Sequence, residues 1–96
     1  MNLSKSDMLR LVINTLGKMS DVKDIKITPE INPVESLALD SGNGIEFALE
    51  MEDKLSITIP VEDNPFVKNT PIPCARTVGE IADFLLKLSA KQEATK

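Results

Sequence analysis

Apolar residues recur at helical spacing in three stretches of the chain, and polar, proline-bearing stretches separate them. From Lys5 to Met19, the residues Met8, Leu11, Val12, Leu16 and Met19 form one stripe and predict a helix. Ser4 and Asp7 have capping-box spacing at its start, Gly17 weakens its last turn, and Ser20-Asp21 closes it. A second helix is expected from Ser41 to Leu55, capped by Asp40 or Ser41. Ile45, Ala48, Leu49 and Leu55 lie near one of its faces, and Phe47 and Met51 extend the apolar surface to one side. Gly42 and Gly44 make its first turn a poor helix former, and Pro60 ends regular structure after Ser56-Ile57-Thr58-Ile59. Thr77-Val78-Gly79-Glu80, a further capping-box match, opens a last helix that runs to about Ala90. Val78, Ile81, Leu85 and Leu88 are its stripe, and Phe84 widens it.

The connections are long. Residues 20–40 carry Pro29 and Pro33, which argue against a continuous helix. Ile25, Ile27, Ile31, Val34, Leu37 and Leu39 are scattered through them, so this connection is expected to pack down on the core. Asp24-Ile25-Lys26-Ile27-Thr28 alternates like a strand but has no evident partner, and loop is the preferred reading. Residues 60–76 hold Pro60, Pro65, Pro71 and Pro73 and read as a loop with one short helical turn, around Val61 to Asn64 or Phe66 to Asn69. Lys91 to Lys96 reads as a flexible polar tail. The expected fold is all-α: a small antiparallel four-helix bundle of three main helices and one short one, with a long loop between the first two main helices. Its 96 residues fit a single domain, 1–96, with a core over about 4–90.

Composition narrows the chemistry. There is no Trp or Tyr and there are three Phe, so Leu, Ile, Val and Met must build the core. The net charge of −4 disfavours nucleic acid, and no apolar run is long enough to span a bilayer. With no His and one Cys, a His-based triad and a Cys/His zinc site are excluded, and no carboxylate metal loop is recognisable. Cys74 has no partner for an internal disulfide and reads as a small loop residue between Pro73 and Ala75. A cytoplasmic setting is expected from the lone cysteine and from an N-terminus unlike a signal peptide.

The acidic residues are concentrated. Between Asp40 and Asp63 there are seven acids and one base, a local charge of −6, so the remainder of the chain is net +2. Such a face either steers basic partners or simply keeps a solvated helix face acidic. Ser41 sits after Asp40 at the mouth of this helix. A hydroxyl there is ordinarily a cap, yet it is also where a phosphate ester is most comfortable, because the helix dipole and the first-turn N–H groups favour an anion. No neighbouring general base is available to make Ser41 a nucleophile.

The run Leu39-Asp40-Ser41, then Ile45-Glu46-Phe47, Met51-Glu52 and Leu55, closing on Ile57-Thr58-Ile59-Pro60, resembles the acyl carrier protein family. The match needs no gap from Asp40 to Pro60 and extends over about residues 4 to 90. The resemblance implies that Ser41 carries a 4′-phosphopantetheine arm, transferred from coenzyme A by a phosphopantetheinyl transferase, and that Asp40 helps position the site. The thiol of the arm would hold acyl groups as thioesters, making the chain a carrier rather than an enzyme, in fatty acid, polyketide or a related specialised synthesis. Glu46, Glu50, Glu52 and Asp53 would meet basic patches on acyl-loading, condensing or acyl-transferring enzymes. Ile45 and Leu49 would touch partners or line the space where an acyl chain folds back. A monomer is the default for such a shuttle. The chain departs from the family pattern in Gly42, where Leu is usual, in Asn43-Gly44, and in the long proline-rich stretch from Asn64 to Arg76, which fits a specialised member. The competing reading is an unmodified helical interaction module that uses the acidic second helix.

Overall fold

The computed structural model describes residues 4–21, 26–60, 63–68 and 74–94; of residues 41, 93 and 94 the backbone alone is described. The element order is α1 (Lys5–Met19), α2 (Pro33–Ser36), α3 (Ser41–Leu55), β1 (Val67–Lys68), β2 (Cys74–Ala75) and α4 (Val78–Ala94). The chain is thus a small helical bundle of three long helices and one short one, as the periodicity predicts.

Caps set the boundaries. The Ser4 hydroxyl accepts from the Asp7 N–H at 3.1 Å and starts α1. At α4 the capping box is reciprocal: Glu80 N–H donates to Thr77 Oγ1 at 3.2 Å, and Thr77 N–H donates to Glu80 Oε1 at 3.0 Å. Lys68 reaches Glu80 at 2.6 Å and ties β1 to that first turn. α4 continues to Ala94, past the expected end near Ala90, so described residues 91–94 are helix rather than tail. A clasp accounts for the extension. Thr58 N–H donates to Gln92 Oε1 at 2.8 Å, and Gln92 Nε2 donates to the Thr58 carbonyl at 2.6 Å, as two strands would pair.

Met8, Val12 and Leu16 of α1 meet Val78, Ile81, Ala82 and Leu85 of α4 in one buried cluster, which Phe47, Met51 and Leu55 of α3 complete. Each of the larger side chains among them, fully buried, contributes about 1.5 to 3 kcal/mol. On α3 the grouping differs from the sequence reading in one respect: Leu55 joins Phe47 and Met51 in the core, and the row through Ile45 and Leu49 faces out. Lys5 and Asp83 form an ion pair between α1 and α4.

The connection from α1 to α3 packs down as expected, with Leu37 and Leu39 buried and Ile27, Ile31 and Val34 partly so; Ile25 and Asp24 lie outside the described residues, and Lys26 to Thr28 is not strand. It is stitched to α4, since Val78 N–H donates to the Ile31 carbonyl and Gly79 N–H to the Pro29 carbonyl, each at 2.9 Å. Gly79 permits this approach: a Cβ there would meet the Pro29 oxygen at 3.3 Å. Among the described residues the short helix falls here. Asn32 Oδ1 accepts from Val34 N–H at 2.9 Å, and Pro33 supplies the preset φ of a first helical residue. In the later connection, the candidate turn from Phe66 to Asn69 is replaced by β1, which pairs antiparallel with β2, Val67 opposite Ala75 and Lys68 opposite Cys74. For the other candidate turn, Val61 and Glu62 lie outside the described residues, and Asp63 and Asn64 are not helical.

Candidate functional site

The start of α3 is built by Asp40. Its Oδ1 accepts from the Asn43 N–H at 2.9 Å, and its own N–H donates to Asn43 Oδ1 at 3.0 Å. The Gly44 N–H takes the Asp40 carbonyl at 3.1 Å. Of the two candidate caps, the structure therefore uses Asp40, and Ser41 is the first helical residue. The capping serine of the simplest reading is not needed: an Asp with its reciprocal Asn fills that task. The N–H groups of the first two positions of a helix point outward along its axis, where negative charge is stabilised. Asp40 and Gly42 are exposed, and Gly42 leaves the helix mouth without a side chain; a Cβ there would press on Asp40 Oδ1 at 3.2 Å. Just upstream, Leu37 and Leu39 are buried while Ala38 is exposed and left-handed at φ 54°, so the approach to the helix is held on both sides of a sharp reversal.

Two rows run from this end of α3. Ile45, Leu49 and Glu52 lie on one, and Glu46, Glu50 and Asp53 on the next. Ile45 is 54% and Leu49 62% exposed, unusual for large apolar side chains. Glu46 and Asp53 are exposed; Glu50 is half-buried and lies 3.5 Å from Lys54. Glu52 differs from the others. Its Oε2 accepts the Ile59 N–H at 2.7 Å, so it also fastens the chain leaving α3.

Ile45, Ala48, Leu49 and Glu52 form one side of a groove of about 70 Å³, and Ile59, Pro60, Asp63, Asn64 and Pro65 contribute the other. None of the last five is apparent as a site residue from the sequence. The 63–66 wall is anchored from three directions. Phe66 packs at a 45° tilt against Phe47 with ring centroids 5.4 Å apart. Asn64 sits against Gly44, where a Cβ would come closer than 3.0 Å to Oδ1, Cγ and Nδ2 of Asn64. Arg76 is half-buried; one guanidinium nitrogen donates to the carbonyls of Asn64 (3.0 Å), Pro65 (3.3 Å) and Val67 (3.0 Å), and the group lies 4.2 Å over the Phe84 ring. Burial pushes the Arg76 guanidinium below its ordinary value, against the opposing pull of Asp63 and Glu80, and it stays charged. Cys74 is exposed on β2, away from the groove lining.

Among the described residues no helix is long and apolar enough to cross a membrane. No family model and no solved structure matches the chain. Named relatives do. The chain is 32% identical over 80 residues to an acyl carrier protein of Syntrophobacter fumaroxidans, covering 83% of this chain and 84% of that one. It is 28% identical over 89 residues to an acyl carrier protein of Rhodococcus erythropolis, covering 88% and 89%. It is 27% identical over 88 residues to the meromycolate extension acyl carrier protein of Mycobacterium tuberculosis, covering 92% of this chain and 70% of the relative. With that identity spread over most of both chains, and with a bundle whose second long helix opens on Asp40-Ser41, the chain belongs to the acyl carrier protein family.

Proposed function

We propose that this chain is a carrier whose Ser41 holds a 4′-phosphopantetheine arm, and that it passes acyl groups between enzymes of a specialised fatty-acid-like or polyketide-like route. The observation that carries the reading is the division of labour at the mouth of α3. Asp40 and Asn43 cap the helix between themselves, and Ser41 is its first residue rather than its cap. A phosphodiester is favoured there by the helix dipole, and Gly42 adds no bulk beside it. The arm would supply a thiol that holds acyl groups as thioesters; the residues of this chain supply the anchor, the docking face and the shelter. Asp40 acts by fixing where the helix begins, which is what a phosphopantetheinyl transferase must find.

Glu46, Glu50 and Asp53, with charge added by Glu52, are the docking residues for basic patches on acyl-loading, condensing or transferring enzymes. Carboxylates along a helix surface raise encounter rates without making complexes long-lived, which suits a shuttle. Ile45 and Leu49 stand between that face and the groove and serve either a partner or the folded-back acyl chain. Cytoplasmic location and a monomeric state belong to the same reading.

Intact mass after incubation with coenzyme A and a phosphopantetheinyl transferase tests it. The expected result is a gain of one arm, absent in Ser41→Ala. No gain with several unrelated transferases overturns the carrier reading in favour of an unmodified interaction module, for which Ser41→Ala would leave activity intact.

A further inference from the structure

We propose that Arg76 is a positioning residue that limits how far the groove beside α3 opens, and thereby which acyl chain lengths the protein shelters; this rests on the carrier reading above. The groove starts one helical turn beyond residue 41, at Ile45, about 6 Å along the helix axis. Its α3 side is part of a helix pinned to the core by Phe47, Met51 and Leu55, so that side has little freedom. The opposite side comes from Ile59, Pro60 and residues 63–65, none of which lies in a helix or strand. An incoming acyl chain longer than the resting space can be admitted only by moving that side outward.

Among the ties that hold the wall, the one we assign to resisting outward movement at residues 64–67 is Arg76. One nitrogen gathers the carbonyls of Asn64, Pro65 and Val67, and two of those residues, Asn64 and Pro65, are groove wall or adjoin it directly. The same guanidinium rests on Phe84 of α4, so the wall is fastened through it to the most regular part of the bundle. Two N–H groups shared among three carbonyls, with a ring contact on the same planar cation, hold better than a single bond, because displacing the wall leaves a half-buried charge with fewer partners. At the other end, the Glu52 bond to the Ile59 N–H fixes the chain leaving α3. Asn64 cannot retreat toward the helix axis either, since it already fills the space Gly44 leaves. Movement away from α3 must therefore work against Arg76.

The test uses the full chain carrying the arm, loaded in turn with butyryl, hexanoyl, octanoyl and dodecanoyl groups, with the rate of thioester cleavage by hydroxylamine as readout. Native protein, Arg76→Met and Arg76→Lys are compared, and intact mass first establishes that each accepts the arm. The expected result is protection concentrated on the shorter chains in the native protein. In Arg76→Met, dodecanoyl protection should rise by about fivefold relative to butyryl protection, the change that losing one such bonding cluster's resistance implies. Arg76→Lys, which keeps a cation over Phe84, should lie between. A residue that merely stabilises the fold would lower the melting temperature and change protection by the same factor at every chain length. That outcome, an unchanged length profile, or no protection at any length in the native protein overturns the proposal. If Arg76→Met does not fold, Phe84→Leu carries the test: it keeps the three carbonyl bonds, removes the ring, and should move the profile in the same direction by a smaller factor. Failure of every variant and the native chain to gain the arm is a different result, and overturns the carrier reading itself.

Discussion

Helices α1 and α3 are both 15 residues long, and they treat their apolar side chains differently. α1 places Met8, Val12 and Leu16 in the core and leaves Leu9, Leu11 and Ile13 packed against its edge. α3 divides its apolar residues between two rows, one sealed by Phe47, Met51 and Leu55 and one that leaves Ile45 and Leu49 more than half exposed. The first helix is explained by folding alone. The second holds apolar surface in water beside a groove and a row of carboxylates, and folding does not require that. The difference separates, within one helix, what holds the protein together from what it offers to others.

The sharpest way to break this comparison is to truncate one residue in each row. Phe47→Ala should cost about 3 to 5 kcal/mol, because Phe47 is fully buried and loses Phe66 as well. Leu49→Ala should stay within about 0.5 kcal/mol in a urea titration, as expected of a side chain largely in water. In acyl transfer to a partner enzyme the order reverses: Leu49→Ala should slow transfer at unchanged stability. Equal destabilisation by both would mean that the two rows are one core after all.

Next in size is Gly44→Ala. In an exposed helix this change normally stabilises by about 0.5 to 1 kcal/mol. Here the new methyl would drive into Asn64, whose Oδ1 also accepts the Phe66 N–H at 2.9 Å. A net loss of about 1 to 3 kcal/mol is expected from the overpacking, read from the thermal transition. A gain instead would show that the 63–66 wall yields freely, and that only the α3 side of the groove is fixed.

How much of this was readable beforehand follows from what is local. The bounds of α1 and α3 and the start of α4 are written in caps and in a 3.6-residue period, which involve neighbours within four positions, and the structure returns them. Which row of α3 turns inward is not local: Phe47-Met51 and Ile45-Leu49 are both apolar, and only the position of α1 and α4 chooses between them. The Asn32-Pro33 signal for α2 was present, but a single turn is decided by tertiary bonds such as Ser20 Oγ to the Leu37 carbonyl at 3.1 Å. At the site, Asp40 and Ser41 were equivalent caps on paper until the Asn43 reciprocal bond distinguished them. Glu52 looked like its acidic neighbours because nothing in the sequence reveals its bond to Ile59. Arg76 carried no signal at all: a basic residue before a capped helix acquires its meaning from carbonyls nine to twelve positions away.

The smallest expected effect concerns the α4 end, where the sealed region is tied to β1. The Lys68 ammonium, and after it the Thr77 N–H, hold the Glu80 carboxyl below the usual carboxylate range, and the same partnership raises Lys68. A carboxyl that is more acidic folded than unfolded contributes stability that is fully present above its unfolded value. That contribution is lost as pH falls through the depressed native value. Glu80→Gln keeps an acceptor for the Thr77 N–H but removes the charge, so it should cost little at neutral pH, the pair standing partly in solvent. Urea midpoints of native and Glu80→Gln protein should therefore differ slightly at neutral pH and converge in acid. At strongly alkaline pH they should converge again, as Lys68 discharges. A gap that widens in acid would reverse the sign assigned to Glu80 and remove the pair as a fastening of β1 to α4, leaving Arg76 as the tie between that connection and the helix.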